Sequence, residues 1–387
     1  MKEILIIGAG IAGATSARIL AEQGNKVKVI EKRDKVSGHM ADEYKDDILI
    51  HTYGPHIFHT DKPSIYNFIT QFGEWYDFEM RITAFMLDKE TYNPFNFHTI
   101  DTYYDDKEKA LKLKEKLNNK YGNKATIVEL LEDEDEDIRE FAEFLFREDY
   151  SQYSAKQWGI EPTELDPQVL KRVPVRLNYG NLYRDEQYIG LFKKGYVDLI
   201  ENMLDHPNIE VQLNTDGLDK ISFKDNKVLY DNRYYDKIIY TGLIDRLFDY
   251  KFGELPYRSL DIKLERFETK QKLPTPVAVY PEYSIPYTRV TEYSQFMVDK
   301  DLNHTILSYE HPMWYDRTKE MEPYYPVLTD ESKEQFNRYK ELSEKYENLM
   351  CIGRLAEFKY LDMDTSIENA LERLGVEYNG HKTIQIL

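Results

Sequence analysis

The chain has 387 residues, with 70 Asp and Glu against 51 Lys and Arg, for a formal net charge of −19. This length predicts two or three domains, and the 41% hydrophobic and 31% charged residues indicate a globular protein. The negative balance argues against nucleic acid or an anionic membrane as a partner, because binding to phosphate-rich surfaces needs excess Lys and Arg.

The N-terminal segment has the pattern of a β-α-β unit that binds a dinucleotide. An apolar strand leads into residues 8–13 (GAGIAG), then a helical pattern, and then a second strand that ends at Glu31, 18 residues beyond Gly13. Gly8 permits a tight turn, Gly10 lets the backbone approach a pyrophosphate, and Gly13 lets helix and strand pack closely. The helix N-terminus offers N–H groups to phosphate, and Glu31 can accept hydrogen bonds from a ribose. The alternative is a structural glycine turn in an α/β fold that binds no ligand.

The middle of the chain, from about residue 100 to 172, predicts a helical insertion. Asp106 is placed to cap a helix that stops at Gly122, and Thr126 with Glu129 fits a capping box. Further apolar residues at helical spacing follow near residues 138–145.

An acidic run, residues 132–137 (EDEDED), lies between the predicted helices. Such runs are usually solvated and self-repelling, so we interpret this one as a solvated surface and not as a metal site. The chain has one cysteine and no Cys or His cluster with zinc-ligand spacing, and no metal is expected. The single cysteine also excludes an internal disulfide and suits a reducing cytoplasm, where we expect the protein.

The second half of the chain is rich in strand patterns. Apolar residues alternate at 209–213, a hairpin is indicated at 220–230, and the aromatic alternation from about 257 to 312 predicts an antiparallel sheet. The predicted fold is α/β: a Rossmann-like nucleotide-binding domain interrupted by a helical insertion and by an antiparallel β-sheet domain. We assign 1–80, 191–245 and 345–387 to the first domain, 100–172 to the helical domain, and 81–99, 173–190 and 246–344 to the sheet domain.

Eight blocks of the sequence resemble the bacterial UDP-galactopyranose mutases in content and in order. The blocks are 53–60 (YGPHIFHT), 156–159 (KQWG), 171–176 (KRVPVR), 248–253 (FDYKFG), 257–260 (YRSL), 286–289 (PYTR), 322–327 (EPYYPV) and 353–360 (GRLAEFKY). The resemblance covers nearly the whole chain, and several blocks are specific to that family.

The resemblance implies a flavin-dependent isomerase that interconverts UDP-galactopyranose and UDP-galactofuranose for galactofuranose-containing glycans. The glycine motif alone does not separate FAD from NAD, but Gly38 and the turn at Gly353 resemble flavin-contacting segments and favour FAD. In that family the reduced flavin attacks the anomeric carbon through N5, and this adduct lets the sugar ring open and reclose. Family members are commonly homodimers, so a homodimer is expected.

The resemblance also implies roles for single residues. Arg172 and Arg289 match two essential arginines, which suits a diphosphate leaving group that needs guanidinium neutralisation. The catalytic set that it implies is Arg172, Arg289, His59 and Asp362. The substrate-binding set is Tyr153 as a stacking face for uracil, with Trp158, Arg172, Tyr183, Arg289, Tyr325 and Tyr360. The cofactor-binding set is Gly8, Gly10, Ile11, Ala12, Gly13, Glu31, Lys32, Gly38, His56, Val211, Gly242, Gly353, Arg354, Tyr360, Asp362 and Met363.

Residues 172–190 match the family's mobile lid, which would shield the reaction from water. The sequence departs from the family pattern at several positions near the flavin and the sugar, namely Ser37, His39, Phe192, Tyr293 and the stretch 79–92. Within that stretch, Arg81 and Tyr92 either alter the choice of sugar or pack as ordinary residues.

Three alternatives remain open on the sequence. The first is the same ring contraction on UDP-N-acetylgalactosamine or dTDP-fucose. His59 favours plain galactose over the N-acetyl sugar, because relatives that accept the latter can carry a larger basic residue there. The second is a flavin amine oxidase or desaturase, and the third is a flavin-binding relative without catalysis.

Overall fold

The computed structural model of the chain describes residues 1–159, 174–378 and 383–385. Five parallel strands form its central sheet, which confirms the Rossmann-like prediction. In spatial order these strands are Ile209–Gln212, Lys26–Ile30, Glu3–Ile7, Lys237–Tyr240 and Leu349–Cys351. In such a sheet ligands bind outside the carboxyl ends of the strands, so those ends position the site described below.

The predicted β-α-β unit is also confirmed. Glu3–Ile7 and Lys26–Ile30 pair in parallel, and the helix Ile11–Glu22 connects them. Ala14 and Ala17 of this helix are fully buried, and their small side chains let it lie close to the sheet and to the helix Met363–Leu374.

A second, seven-stranded sheet fills much of the C-terminal half. In spatial order its strands are Tyr325–Pro326, Tyr257–Phe267, Thr305–Trp314, Arg289–Glu292, Val277–Val279, Ile82–Met86 and Lys89–Asn93. Neighbouring strands are antiparallel, as expected, except that Val277–Val279 runs parallel to Ile82–Met86. Ile82–Met86 reaches this sheet from the N-terminal third of the chain, so the connection is long enough for a parallel pair.

The described part of the segment 173–190 pairs with strands outside the large sheet. Val175–Arg176 pairs with Lys124–Ala125 of the helical region, and the backbone N–H of Arg176 donates to the Phe95 carbonyl at 2.8 Å. Tyr188–Phe192 lies between Phe58–Thr60 and Trp75–Asp77 in a three-stranded sheet. These pairings place the segment beside the site.

Helices dominate residues 97–158, as predicted. They span Phe97–Tyr103, Lys107–Tyr121, Ile127–Leu131, Glu136–Leu145 and Ser151–Trp158, with a π-helical turn at Phe146–Tyr150. Asp106 caps the second of these helices, which ends before Gly122, and Thr126 with Glu129 forms the predicted capping box.

The acidic run 132–137 is solvated at its three glutamates, as expected, but its three aspartates are paired and do not simply repel one another. Asp133 is 4% exposed, and its carboxylate accepts a hydrogen bond from Lys120 at 2.7 Å. Lys116 bridges Asp135 and Asp137, and Asp135 caps the next helix. Lysines of the neighbouring helix thus neutralise the aspartates of the run, a pairing that sequence distance concealed. In the described ranges, no three His, Cys, Asp or Glu side chains are grouped as metal ligands.

The remaining elements include a hairpin, further helices and short strands. The predicted hairpin forms between Ile221–Lys224 and Lys227–Tyr230, with Asp225 and Asn226 both at positive φ. The other helices and strands are Asp42–Lys45, Ile48–His51, Pro63–Ile69, Gly195–Leu204, Arg233–Tyr234, Ile244–Leu247, Asp330–Ser343, Val376–Tyr378 and Thr383–Gln385, with 3-10 turns at Gly38–Met40, Gly217–Lys220 and Tyr293–Phe296. Among the helices of the described segments, none is both long and apolar enough to cross a bilayer.

Candidate active site

A cavity of about 610 Å³ opens at the carboxyl ends of the parallel strands, and we call it the cofactor cavity. Its wall includes residues at or just beyond the ends of four of these strands: Gly8, Glu31, Gly242 and Gly353. The first turn of the helix Met363–Leu374 also faces it. This is the position in which a parallel sheet binds a dinucleotide.

The glycine-rich turn is fixed by backbone geometry at two of its three glycines. Gly8 has φ +108°, and a Cβ on it would lie 2.0 Å from Thr241 Oγ1. A Cβ on Gly13 would lie 2.0 Å from the Gly8 carbonyl oxygen, so only glycine fits there. At Gly10 the nearest atom would be Gly38 Cα at 3.7 Å, so this glycine leaves open space in the cavity wall instead of preventing a clash.

Glu31 ties the turn to the second strand. The side chain is buried, and Oε2 accepts a hydrogen bond from the Ala9 backbone N–H at 2.8 Å. Oε1 accepts from the Arg33 backbone N–H at 3.0 Å. Each carboxylate oxygen keeps a second lone pair, so Glu31 can hold the turn and still accept a hydrogen bond from a ribose.

A second cavity of about 140 Å³ adjoins the first, and we call it the inner chamber. The two share His56, Arg354, Asp362 and Met363, so the inner chamber opens directly onto the cofactor cavity. Its other walls combine polar and apolar side chains, among them Tyr53, His59, Met80, Ile82, Tyr183, Arg184 and Val277.

A chain of acidic and basic side chains runs along one side of the inner chamber. Glu186 Oε1 lies 3.2 Å from His59 Nδ1 and 3.3 Å from Arg184 Nη1. Arg184 Nη2 lies 3.7 Å from Asp362 Oδ2. Burial by itself would raise the pKa of Glu186, but the His59 contact and the nearby Arg184 lower it to about 2. Glu186 is therefore ionised and orients both basic groups toward the chamber.

His56, at the border between the inner chamber and the cofactor cavity, is neutral. Burial is the main cause that lowers its pKa to about 4, and the nearby Arg354 and Arg289 act in the same direction. Its Nδ1 lies 2.7 Å from the Gly54 carbonyl oxygen, so Nδ1 carries the proton and Nε2 is left as an acceptor.

A third cavity of about 180 Å³, the outer chamber, continues from the inner chamber. The residues that line both chambers are Ile82, Tyr183, Arg289, Tyr325 and Tyr360. The outer chamber is further lined by Asn93, Asp149, Tyr150, Tyr153, Gln157 and Trp158. The three cavities thus form one cleft, in the order cofactor cavity, inner chamber, outer chamber.

Arg289 stands at the junction of the two chambers. Its Nε and Nη2 donate to the two oxygens of Glu310 at 2.8 and 2.7 Å, and Glu310 is 1% exposed. The pair comes from neighbouring strands of the large sheet, where Arg289 lies directly opposite Glu310. This bidentate pair fixes the guanidinium and leaves its Nη1 group for an anion, while Glu310 offsets its charge.

Aromatic side chains form the wall beside Arg289. Tyr325 and Tyr360 stack with ring centroids 5.4 Å apart, Trp158 lies 6.0 Å from Tyr325, and the Arg354 guanidinium lies over both tyrosine rings. Burial and the neighbouring Tyr360 raise the pKa of Tyr325 to about 12, against the opposing effect of Arg289. The Tyr325 hydroxyl therefore keeps its proton and can donate to a phosphate oxygen.

The structure brings most of the predicted site residues together. Fourteen of the cofactor set line the cofactor cavity: Gly8, Gly10, Ile11, Ala12, Gly13, Glu31, Lys32, Gly38, His56, Gly242, Gly353, Arg354, Asp362 and Met363. Lining the chambers are His59, Tyr153, Trp158, Tyr183, Arg289, Tyr325 and Tyr360. Arg172 and Val173, the first two residues of the proposed lid, lie outside the described residues.

Two members of the predicted cofactor set lie elsewhere. Val211 is 38% exposed on the edge strand of the parallel sheet, and the cavity wall there is formed by Gly217 and Leu218. The chain turns toward the cavity only after that strand has ended at Gln212. Tyr360 lines both chambers but not the cofactor cavity.

The departures from the family pattern fall into two groups. Ser37 and His39 line the cofactor cavity. Tyr293 is fully buried and donates to the His51 carbonyl at 3.0 Å, and Phe192 packs in the core, so neither lines the three cavities.

Arg81 and Tyr92, in the stretch 79–92, do not line the chambers either: Arg81 pairs with Glu79, and Tyr92 packs edge-on against His98. Met80 and Ile82 of the same stretch face the inner chamber instead.

Sequence similarity to known proteins identifies the family of the chain. A family model described as UDP-galactopyranose mutase matches residues 149–360, and one described as an NAD(P)-binding Rossmann-like domain matches residues 6–72. A dTDP-fucopyranose mutase from Escherichia coli is 36% identical over 374 residues, which cover 96% of this chain and 97% of that protein. A probable UDP-galactopyranose mutase from Klebsiella pneumoniae is 33% identical over 380 residues, covering 96% and 93% of the two chains. This chain belongs to the UDP-galactopyranose mutase family.

A solved structure shares the fold of this family member. The crystal structure of a reduced UDP-galactopyranose mutase superposes with a TM-score of 0.71 at 16% identity, covering 96% of this chain and 93% of that one. Family membership makes the chain an enzyme of the isomerase class with FAD as its cofactor.

The cofactor cavity fits FAD. Two buried nitrogen atoms on its wall, His39 Nε2 and Arg33 Nε, have no hydrogen-bond partner in the protein, as expected where a polar ligand supplies one. Glycine N–H groups and the N-terminus of the helix Ile11–Glu22 suit the diphosphate, and Glu31 suits a ribose. Residues at the border with the inner chamber, His56 and Met363, would lie at the reactive end of the cofactor.

Sequence reasoning missed several residues of the chambers. No local sequence pattern marks Arg184, Glu186 or Glu310, because each forms an ion pair with a residue more than 20 positions away. Arg184 and Glu186 lie close in sequence to Tyr183, a predicted substrate-binding residue. Charged residues near a predicted site residue are the signal that could have identified them. Asp149 was missed because a single acid at the end of a helical pattern is ordinary.

Proposed function

We propose that this enzyme interconverts the pyranose and furanose ring forms of a nucleotide-linked galactose, UDP-galactose. The observation that carries the proposal is the order of the three cavities along one cleft. A sugar in the inner chamber would lie against the cofactor, its diphosphate would lie beside Arg289, and its nucleoside would fill the outer chamber. When bound in its reduced form, FAD supplies the nucleophile toward the anomeric carbon.

The protein would contribute charge neutralisation at the junction. Departure of UDP from the anomeric carbon puts negative charge on the diphosphate, and Arg289 Nη1 and the Tyr325 hydroxyl can donate to it. Because Glu310 offsets the charge of Arg289, a second cation is needed for two phosphate charges. We propose Arg172 for that role on the family resemblance.

The inner chamber would orient the sugar. Ring opening and reclosure move protons between sugar hydroxyls, and His59 and Arg184, held by Glu186, can bind those hydroxyls on one side. Residues 174–190 carry Tyr183, Arg184 and Glu186, so closure of this segment over the sugar would exclude water. We propose this segment, with residues 172 and 173, as the lid.

A second candidate substrate is dTDP-fucose. The specific observations are the 36% identical relative named dTDP-fucopyranose mutase and the apolar side of the inner chamber. Met80, Ile82 and Val277 there would pack well against the methyl group of a 6-deoxy sugar and would satisfy no hydroxyl at that position.

Turnover on a panel of nucleotide sugars tests the proposal. The purified holoenzyme is reduced with dithionite, and the conversion of UDP-galactofuranose, UDP-N-acetylgalactofuranosamine and dTDP-fucofuranose is followed by HPLC. The proposal expects UDP-galactofuranose to give the highest kcat/KM. A preference for dTDP-fucofuranose of tenfold or more would replace it with the second candidate, and no conversion of any of the three would contradict a mutase function.

Three further proposals follow from the family resemblance. They are a cytoplasmic location, a homodimeric assembly and a role in supplying galactofuranose for surface glycans. Size-exclusion chromatography with light scattering tests the second directly, since a monomeric mass would contradict it.

A further inference from the structure

The outer chamber contains a carboxyl group that the proposed chemistry leaves without a task. Asp149 lies in the π-helical turn Phe146–Tyr150, is 5% exposed and lines the chamber. Its Oδ1 atom is buried without a hydrogen-bond partner. A buried polar atom of this kind is costly, so its retention on a cavity wall points to a ligand that completes it.

Lys156, a cation that acts on Asp149, does not satisfy it with a hydrogen bond. Lys156 acts on it through space, but its ammonium group donates to the carbonyl oxygens of Tyr280, Glu282 and Tyr287 at 2.7 to 2.9 Å. Those three bonds use all three N–H donors of the lysine. Lys156 therefore leaves the Oδ1 atom of Asp149 without a hydrogen bond.

The protonation of Asp149 suits a ligand that both donates and accepts. Burial raises the pKa of this carboxyl to about 7, although Lys156 acts in the opposite direction. Near neutral pH a large share of the group is the neutral acid, which has one O–H donor and one C=O acceptor. An amide-like edge with an N–H beside a C=O is the complement of that pair.

The order of the cleft tells which part of a nucleotide sugar reaches Asp149. With the sugar beside the cofactor and the diphosphate at Arg289, the base lies in the outer chamber, a step that rests on the proposed function. Tyr153, on the same wall, offers a flat ring for stacking. The base edge would then meet the polar side chains of the chamber, and among the described residues that line it Asp149 has a buried oxygen atom without a hydrogen-bond partner.

We propose that Asp149 recognises the imide edge of a pyrimidine base, accepting a hydrogen bond from the base N3–H and donating one to an adjacent base carbonyl. Uracil and thymine present the same imide edge, so this contact would serve UDP-linked and dTDP-linked sugars alike. Asp149 would thus select the base and not the sugar.

Binding of UDP and of 3-methyluridine 5′-diphosphate to the FAD holoenzyme tests the inference. The methyl group removes the N3–H donor and leaves the rest of the nucleotide intact. By isothermal titration, 3-methyluridine 5′-diphosphate should bind the wild-type protein at least tenfold more weakly than UDP, because a site built for a donor rejects an analogue that lacks it.

Two variants assign that difference to Asp149. Asp149→Leu should bind UDP at least tenfold more weakly and should lose the distinction between the two nucleotides, to within twofold. Asp149→Asn keeps a donor and an acceptor, and should retain both UDP affinity, within about threefold, and the distinction. Glu148→Leu removes the neighbouring charge outside the chamber, and should leave both properties at their wild-type values.

Three results would overturn the inference. They are equal wild-type affinity for the two nucleotides, a tenfold distinction that persists in Asp149→Leu, and loss of the distinction in Glu148→Leu. If Asp149→Leu does not fold, as judged by FAD content and thermal unfolding, then Asp149→Asn and the wild-type comparison still decide. Wild-type protein that binds neither UDP nor dTDP would contradict the proposed function itself, whereas normal UDP binding without the distinction would contradict only the inference.

Discussion

The cofactor cavity and the two chambers beside it are built in different ways. The cofactor cavity is made largely of backbone and glycine, from short segments that directly follow parallel strands. The chambers are made of side chains from segments far apart in the chain, and they contain buried charged groups such as Glu310 and Asp149. Changes in the first region should therefore act through the fold, and changes in the second through charge and specificity.

The largest effect is expected from Gly13→Ala in the cofactor region. The new Cβ would lie 2.0 Å from the Gly8 carbonyl oxygen, so backbone must move. We expect a loss of about 3 kcal/mol in the free energy of unfolding, measured with urea on the apoprotein.

Gly10→Ala is the matched control, because its Cβ meets only Gly38 Cα at 3.7 Å. It should unfold within about 1 kcal/mol of wild type but bind FAD more weakly. Equal stability of the two variants would contradict the claim that Gly13, and not Gly10, is required by the packing of the backbone.

Arg172→Ala tests the proposal that Arg172 supplies the second cation for the diphosphate. We expect normal FAD content and a loss of at least about 100-fold in turnover, as when one donor to transition-state charge is removed. Steady-state kinetics with reduced enzyme and the visible flavin spectrum give the two readouts. Kinetics close to wild type would remove Arg172 from the site.

Arg289→Ala should damage both stability and turnover, for separable reasons. It leaves Glu310 as a buried carboxylate without its partner, which we expect to cost about 2–3 kcal/mol, since Arg289 itself is partly exposed. The double variant Arg289→Met with Glu310→Gln removes both charges, and should recover most of that stability but not turnover. Thermal unfolding and kcat measure the two quantities. Recovery of turnover in the double variant would contradict a phosphate-binding role for Arg289.

Asp149→Asn should stabilise the protein in a pH-dependent way. Burial raises the pKa of Asp149 to about 7, whereas an unfolded aspartate titrates near 3.8. The unfolded state therefore loses this proton first, and the wild-type protein loses stability as the pH rises from about 4 to 7. A pKa difference of about three between the folded and unfolded states corresponds to about 4 kcal/mol in the free energy of unfolding. We expect Asp149→Asn to recover about half of that, because the folded protein relaxes around the ionised group. Urea unfolding should show the gain at pH 8 and none at pH 4. A gain that is equal at both pH values would show that the carboxyl titrates normally.

The same contrast explains what the sequence predicts well. The turn at residues 8–13, the helix caps at Asp106 and Thr126, and the hairpin at Asp225-Asn226 are local patterns, and the structure has all of them. The resemblance to a known family then supplied most residues of the cleft. Local spacing carries this information because the interacting groups lie within a few residues of one another.

Long-range pairing accounts for what the sequence does not predict. Glu186 contacts His59 across 127 positions, and Lys116, which pairs with Asp135 and Asp137 of the acidic run, comes from a separate helix. Val211 was placed in the cofactor set although its strand ends before the chain reaches the cavity. Asp149 looks like any helix-end acid until the fold encloses it beside the outer chamber. In each case tertiary contacts and not local propensity decide the role.

The central claim is that the nucleotide sugar in the chambers reacts with the reduced cofactor in the adjoining cavity. The most direct measurement compares turnover of UDP-galactofuranose by one preparation of holoenzyme with its flavin reduced by dithionite and with its flavin oxidised. We predict conversion by the reduced enzyme and at least about 100-fold slower conversion by the oxidised enzyme. Equal rates in the two states would contradict the claim.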